Sequence, residues 1–199
     1  MTLKNGKSNG KLNNQADTQK PQFYSDQAWS KQNEHFALKH FFKQHQQSAP
    51  QQNDIVVWVK QAHHLAGALR LVRLENISKH DLDTDNRNEN NQEANALPNA
   101  LPNNSSNVFW LRGLFIAPDC RGQGLASALL HFAFNEQLQP QNTQPSKKII
   151  AFAPPHLHNF YLQNGYLPHN SHTLPQPLKT RYTHAQQQGK TWLCLVRNG

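Results

Sequence analysis

Val108-Phe-Trp-Leu-Arg-Gly-Leu-Phe-Ile116-Ala-Pro-Asp-Cys-Arg121-Gly-Gln-Gly124-Leu-Ala-Ser127 is the stretch whose reading decides the architecture. Its first nine residues are dense in β-branched, aromatic and aliphatic side chains, so they read as a buried strand. Ala117 to Gly124 carry Pro and two Gly and read as a loop. From Leu125 to Gln137 the apolar residues Leu125, Ala128, Leu129, Phe132 and Ala133 recur at helical spacing along one face. A buried strand therefore runs through a glycine loop into a helix. The first turn of a helix leaves backbone N–H groups unpaired and carries partial positive charge. Two glycines let those groups approach a ligand closely, so the loop suits a phosphate, and Arg121 would add a charge-assisted contact.

Working outward, Ile55–Lys60 and Leu65–Leu74 form two strand-like blocks separated by a short polar gap, as in an antiparallel hairpin. Before them, Trp29, Asn33, Phe36, Ala37, His40 and Phe41 recur at intervals of three and four. That spacing predicts a helix of about 20 residues from near Ser25, capped by Ser25 or Asp26. After the loop and its helix come Pro140 and Pro145, then a short strand Lys148–Ala153, and a brief helix from His156 to Asn164 that stops at Gly165. Thr180–His184 and Thr191–Val196 are expected to close the chain as a hairpin. The order of elements implies a mixed α/β domain, antiparallel at its start and parallel in the middle, where a helix joins the strands.

The composition is unusual for such a domain. Among 199 residues, 22 Asn and 22 Gln outnumber the 32 charged residues, only 36% of the chain is hydrophobic, and the mean hydropathy is -0.81. The amides are not spread evenly. Residues 1–20 hold almost nothing to bury and read as a disordered polar tail, while 76–107 contain ten Asn and read as a surface insertion. What remains, 21–199, reads as a single domain. No apolar run reaches the roughly 18–20 residues of a membrane span, and the start lacks the apolar core of a signal peptide, so a cytoplasmic protein with no membrane association is expected. Cys120 and Cys194 are too few for a disulfide framework or a Cys-rich zinc site. The formal charge of +8 favours anionic partners, but the basic residues are scattered and form no stripe, which disfavours nucleic acid. Short His spacings, His156 with His158 and His169 with His172, lack carboxylate or thiolate partners, so no metal is expected.

Three phosphate-binding patterns compete for the loop. A Walker loop needs Gly-Lys-Ser/Thr where Gly124 is followed by Leu125, and a dinucleotide fingerprint needs a third Gly or Ala where Ser127 stands. The third pattern, Arg/Gln-x-x-Gly-x-Gly/Ala, is met by Arg121-Gly-Gln-Gly124-Leu-Ala126 at every defined position. Here the sequence resembles the GNAT family of acetyl-CoA-dependent N-acetyltransferases. Leu114-Phe-Ile116-Ala-Pro118 stands where the family has a Leu-x-Val-x-Pro strand end. Phe160-Tyr161-Leu-Gln-Asn-Gly165-Tyr166 is similar to its Phe-Tyr-x-x-x-Gly-Phe segment.

The resemblance implies a GNAT-like acyl-CoA N-acyltransferase fold, a mixed central sheet of about seven strands flanked by helices. It implies acetyl-CoA as acyl donor, with its pantetheine arm on the bulged, splayed strand at Leu114, Phe115 and Ile116. The pyrophosphate would lie on the N–H groups of Arg121, Gly122, Gln123, Gly124, Leu125, Ala126 and Ser127. An amine would attack the thioester directly through a tetrahedral intermediate, and Tyr161 would protonate the departing thiolate. Glu75, near the end of the second hairpin strand, is the acidic residue assigned as base, since position 112 offers Arg and no carboxylate. Pro154 and Pro155 stand where many family members have a cofactor-contacting Asn. The acceptor is expected to be a small-molecule amine or a peptide, and a homodimer is left open. The alternative function is an acyl-CoA-binding sensor or interaction module without transferase activity.

Overall fold

The computed structural model describes residues 20–26, 34–51, 53–74, 107–138 and 147–199. The tail expected over 1–20 and the insertion expected over 76–107 lie outside them, save Lys20 and Asn107. In chain order the elements are β1 (Gln22–Asp26), α1 (His35–Gln44), β2 (Ile55–Gln61), β3 (His64–Arg73) and β4 (Val108–Ile116). There follow α2 (Leu125–Leu138), β5 (Lys148–Ala153), α3 (His158–Gln163), β6 (Leu167–Pro168), α4 (Gln176–Gln187) and β7 (Leu193–Asn198). Seven strands form one sheet in the order β1-β2-β3-β4-β5-β7-β6. All neighbours are antiparallel except β4 and β5, which α2 joins in parallel.

Strand residues alternate between two buried faces, as a pleated sheet covered on both sides requires. Ile55, Val57, Leu69, Leu71, Phe109, Leu111 and Ile149 face α2 and α3. On the opposite side Val56, Trp58 and Ala68 pack under Leu38, Phe41 and Phe42 of α1, while Val72, Trp110, Ile150 and Cys194 pack under Leu178 and Tyr182 of α4. No helix among the described residues is long and apolar enough to cross a membrane.

Two expectations need correction. Ser25 and Asp26 do not cap a helix; they lie in β1, whose Phe23 stacks on Phe132 of α2 at 5.5 Å and whose Tyr24 stacks on Trp58 at 5.6 Å across the sheet. Pairing with β2 outweighs the helical spacing at Ser25 and Asp26; α1 bears out the helix over His35–Gln44, and Trp29 and Asn33 lie outside the described residues. Thr180–His184 is not a strand of a closing hairpin but part of α4. Its β-branched and aromatic residues suggest a strand, yet Leu178, Arg181, Tyr182 and Ala185 are the buried positions, at helical intervals of three and four. The strand that pairs with β7 on its outer side is the two-residue β6.

Candidate active site

The site is built around the end of β4. Against β3, Ala68 pairs with Phe115 but Arg70 pairs with Arg112, so Gly113 and Leu114 stand opposite the single residue Leu69. This is a β-bulge, and it rephases the strand. Phe109 and Leu111 before it, and Leu114 and Ile116 after it, all pack against the cluster under α2, which strict alternation would forbid. Gly113 makes the bulge at φ +62, and a Cβ there would stand 3.0 Å from Phe42 Cε1 of α1.

Beyond the bulge the sheet opens. β4 and β5 pair only from Val108 with Lys148 to Leu111 with Ala151. From there β4 runs on to Ile116 beside β3, while Phe152 and Ala153 of β5 pair only with β7. Among the described residues the edge of β4 from Gly113 to Ile116 therefore has no strand partner on the β5 side, leaving backbone groups there for an extended ligand arm. Leu114, Phe115 and Ile116 lie on this edge.

At its end the chain turns through Pro118–Cys120 into the glycine loop. Gly122 and Gly124 take φ +76 and +74, and a Cβ added at either would meet nothing within 4 Å. These glycines are required by their left-handed backbone and face open space. The first backbone hydrogen bond into α2 is from Ala128 N–H to the Gly124 carbonyl at 3.0 Å. The amides of Gly122, Gln123, Gly124, Leu125, Ala126 and Ser127 donate to no backbone carbonyl among the described residues. Arg121 Nε donates to the Ile116 carbonyl at 3.1 Å, and the guanidinium lies 5.1 Å from the Phe115 ring centroid. That side chain braces the loop against the strand end, a role its place in the motif did not disclose. Phe115 in turn stacks on His45 at 4.1 Å, just past α1.

Tyr161 lies on α3, 6% exposed, edge-on to Phe160 and Tyr166 at 5.2 Å each. Its hydroxyl makes no hydrogen bond among the described residues. Burial pushes its pKa up to about 12, so the phenol stays neutral far above its usual range. Asn164, 2% exposed, ties this helix to the loop: its Nδ2 donates to the Phe160 carbonyl at 2.7 Å and to Ser127 Oγ at 3.2 Å. Sequence reasoning passed over Asn164, for which the only signal is an amide just before the terminating Gly165.

Glu75 lies outside the described residues. On the face opposite α2, Arg70 is 1% exposed; its Nη1 donates to Asp54 Oδ2 at 2.9 Å and to the Ala49 carbonyl at 3.0 Å, and its Nη2 to Ser48 Oγ at 2.7 Å. This buried pair pins the segment after α1 against β3. The signal in the sequence is an Arg inside an otherwise apolar strand. Pro154 and Pro155 lead from β5 into a short 3-10 turn before α3. Cys120 is half-buried, and burial and then Asp119 raise its pKa, which favours the thiol over a nucleophilic thiolate. No group of three or more His, Cys, Asp or Glu among the described residues could hold a metal ion.

An open strand edge, a cradle of unpaired amides and a neutral buried phenol on the adjoining helix fit a thioester donor bearing a pyrophosphate. The family model described as an acetyltransferase (GNAT) domain matches residues 53–168. No curated protein matches the chain in sequence. Among solved structures, Escherichia coli ElaA aligns at TM-score 0.51 and 11% identity, covering 89% of this chain and 99% of that one. A putative N-acetyltransferase from Lactobacillus plantarum aligns at 0.51 and 14%, covering 89% and 97%. The N-acetylglutamate synthase of Neisseria gonorrhoeae, complexed with coenzyme A and N-acetyl-glutamate, aligns at 0.51 and 14%, covering 88% of this chain. The chain spans only 35% of that synthase. At these identities the likeness is one of fold, and it agrees with the seven-stranded mixed sheet.

Proposed function

The chain belongs to the GNAT family of acetyltransferases, and from that premise we propose that it transfers the acetyl group of acetyl-CoA to a primary amine by direct attack through a tetrahedral intermediate. The observation that carries this reading is the opening between β4 and β5, which ends at a glycine loop with unpaired amides. In this proposal the amides of Gly122 to Ser127, with Arg121 beside them, hold the donor's pyrophosphate, and the edge at Leu114, Phe115 and Ile116 holds its pantetheine arm. N–H groups of that edge polarise the thioester oxygen as the amine adds. Collapse of the intermediate breaks the carbon–sulfur bond, and Tyr161 gives its proton to the sulfur. A neutral phenol suits that task, because a group already ionised has no proton to give. Glu75 is the proposed base that takes the proton of the attacking amine.

The acceptor class follows from chemistry rather than from a recognised pocket: a primary amine on a small molecule or a peptide. The synthase from Neisseria gonorrhoeae acts at an amino acid's nitrogen, as its bound N-acetyl-glutamate implies, which is consistent with an amine here. Thermal denaturation with acetyl-CoA tests the donor. At 100 times its dissociation constant a ligand of the folded state stabilises by about 2.7 kcal/mol. An upward shift is expected, and its absence at millimolar acetyl-CoA would contradict the proposal.

A further inference from the structure

Asn164 and Ser127 together determine where a hydroxyl proton points. The Phe160 carbonyl can only accept, so the Asn164 atom 2.7 Å from it must be the amide nitrogen. That nitrogen has two hydrogens, and the second is directed to Ser127 Oγ at 3.2 Å. Ser127 Oγ is therefore the acceptor in this contact, and its own proton must be donated elsewhere. A serine in the first turns of a helix can return that proton to the carbonyl four residues back, here Gln123, but no such bond is present among the described residues. Ser127 is only partly buried at the start of α2, so that proton is left to solvent or to a ligand held at the loop.

We propose that Asn164 is a positioning residue for the donor site: by holding Ser127 Oγ as an acceptor, it aims the Ser127 hydroxyl as one more donor at the anion cradled by the loop. The inference rests on the acetyl-CoA reading above. It couples the helix bearing Tyr161 to the phosphate cradle, because Asn164 N–H also donates to the Tyr161 carbonyl at 3.0 Å. Asn164 acts only through Ser127, so its removal should matter only while the serine hydroxyl is present.

Calorimetric titration of the full chain with coenzyme A, and with pantetheine, which lacks the pyrophosphate, tests this. Loss of a hydrogen bond to a charged group is expected to weaken coenzyme A about tenfold in both Asn164→Leu and Ser127→Ala. The affinity ratio of coenzyme A over pantetheine should fall by a similar factor, whereas a loosened fold would weaken both ligands alike. In the Ser127→Ala background, Asn164→Leu should cost no more than about twofold further. Should Asn164→Leu not fold, Ser127→Ala and Ser127→Thr carry the test, with the threonine hydroxyl recovering most of the loss. Additive losses, or affinities equal to that of the unaltered protein, would overturn the positioning role alone. Failure of the unaltered protein to bind coenzyme A would overturn the acetyl-CoA reading and this role with it.

Discussion

Tyr161 shows how burial alone can prepare a side chain for chemistry. Its pKa is raised from 10.0 to about 12 by desolvation, so the phenol still holds its proton at about pH 10, where a primary amine loses its own. Below pH 10 the phenol is neutral both folded and unfolded, and the favourable folded environment is fully retained. Between about pH 10 and pH 12 the unfolded chain ionises while the folded one does not, so stability falls as pH rises. Denaturant unfolding at pH 9 and pH 11 should show that decline, and Tyr161→Phe should make it shallower. Tyr166, Tyr182, Cys120 and Cys194, also raised chiefly by burial, add to the decline. An unchanged slope in Tyr161→Phe would mean that the hydroxyl is solvated. Gly124 is the second informative residue. Its φ of +74 disfavours a side chain, and nothing lies within 4 Å of the position a Cβ would take. Gly124→Ala should therefore cost the unliganded protein only about 1–2 kcal/mol of backbone strain. It should weaken acetyl-CoA disproportionately, by tenfold or more, because the new methyl enters the space of the proposed pyrophosphate site.

Among the elements, β4 carries most of the design. Its bulge at Gly113 keeps Leu114 and Ile116 in the core while the strand bends away from β5, so packing and opening are achieved together. β3 supports it from behind. A Cβ on Gly67 would collide with Ile116 Cδ1 and stand 3.0 Å from the Phe115 carbonyl, so β3 must be bare where it backs the open edge. Arg70 and Asp54, both almost fully buried, lock the segment after α1 onto β3. Asp54→Ala would leave a buried guanidinium without that partner, and a loss of about 3–5 kcal/mol is expected in chemical unfolding. Changing Arg70 to Met in the same chain should recover part of that loss, since two apolar groups leave no uncompensated charge. Non-additivity of the two changes is the measurement that checks it.

How much of these elements was legible depends on whether local sequence or distant partners decide them. The β4–loop–α2 unit was readable because strand, glycines and helix face are each specified within a few residues. The opening between β4 and β5 has no such local signal, since it depends on where two strands stop pairing; only the family resemblance suggested it. β1 was misread because Phe23 and Tyr24 derive their meaning from Phe132 and Trp58, which are far away in the chain. In α4 local β-propensity conflicted with a helical burial pattern, and the pattern prevailed. Asn164 and the Arg70–Asp54 pair were invisible as partners because hydrogen bonds across elements have no spacing rule.

At the scale of the whole molecule, the Asn residues are unevenly spread while most of the Gln lie within 21–75 and 108–199. Ten of the 22 Asn fall in 76–107, between β3 and β4. The +8 charge agrees with a polyanionic donor such as acetyl-CoA without selecting an acceptor. The central claim is acetyl transfer, and the most direct measurement of it is release of coenzyme A thiol from acetyl-CoA across a panel of primary amines. Amine-dependent release is expected, falling about 100-fold or more in Tyr161→Phe, the scale on which a positioned general acid acts. Binding of acetyl-CoA with no thiol release on any amine would contradict transfer and leave a binding module in its place.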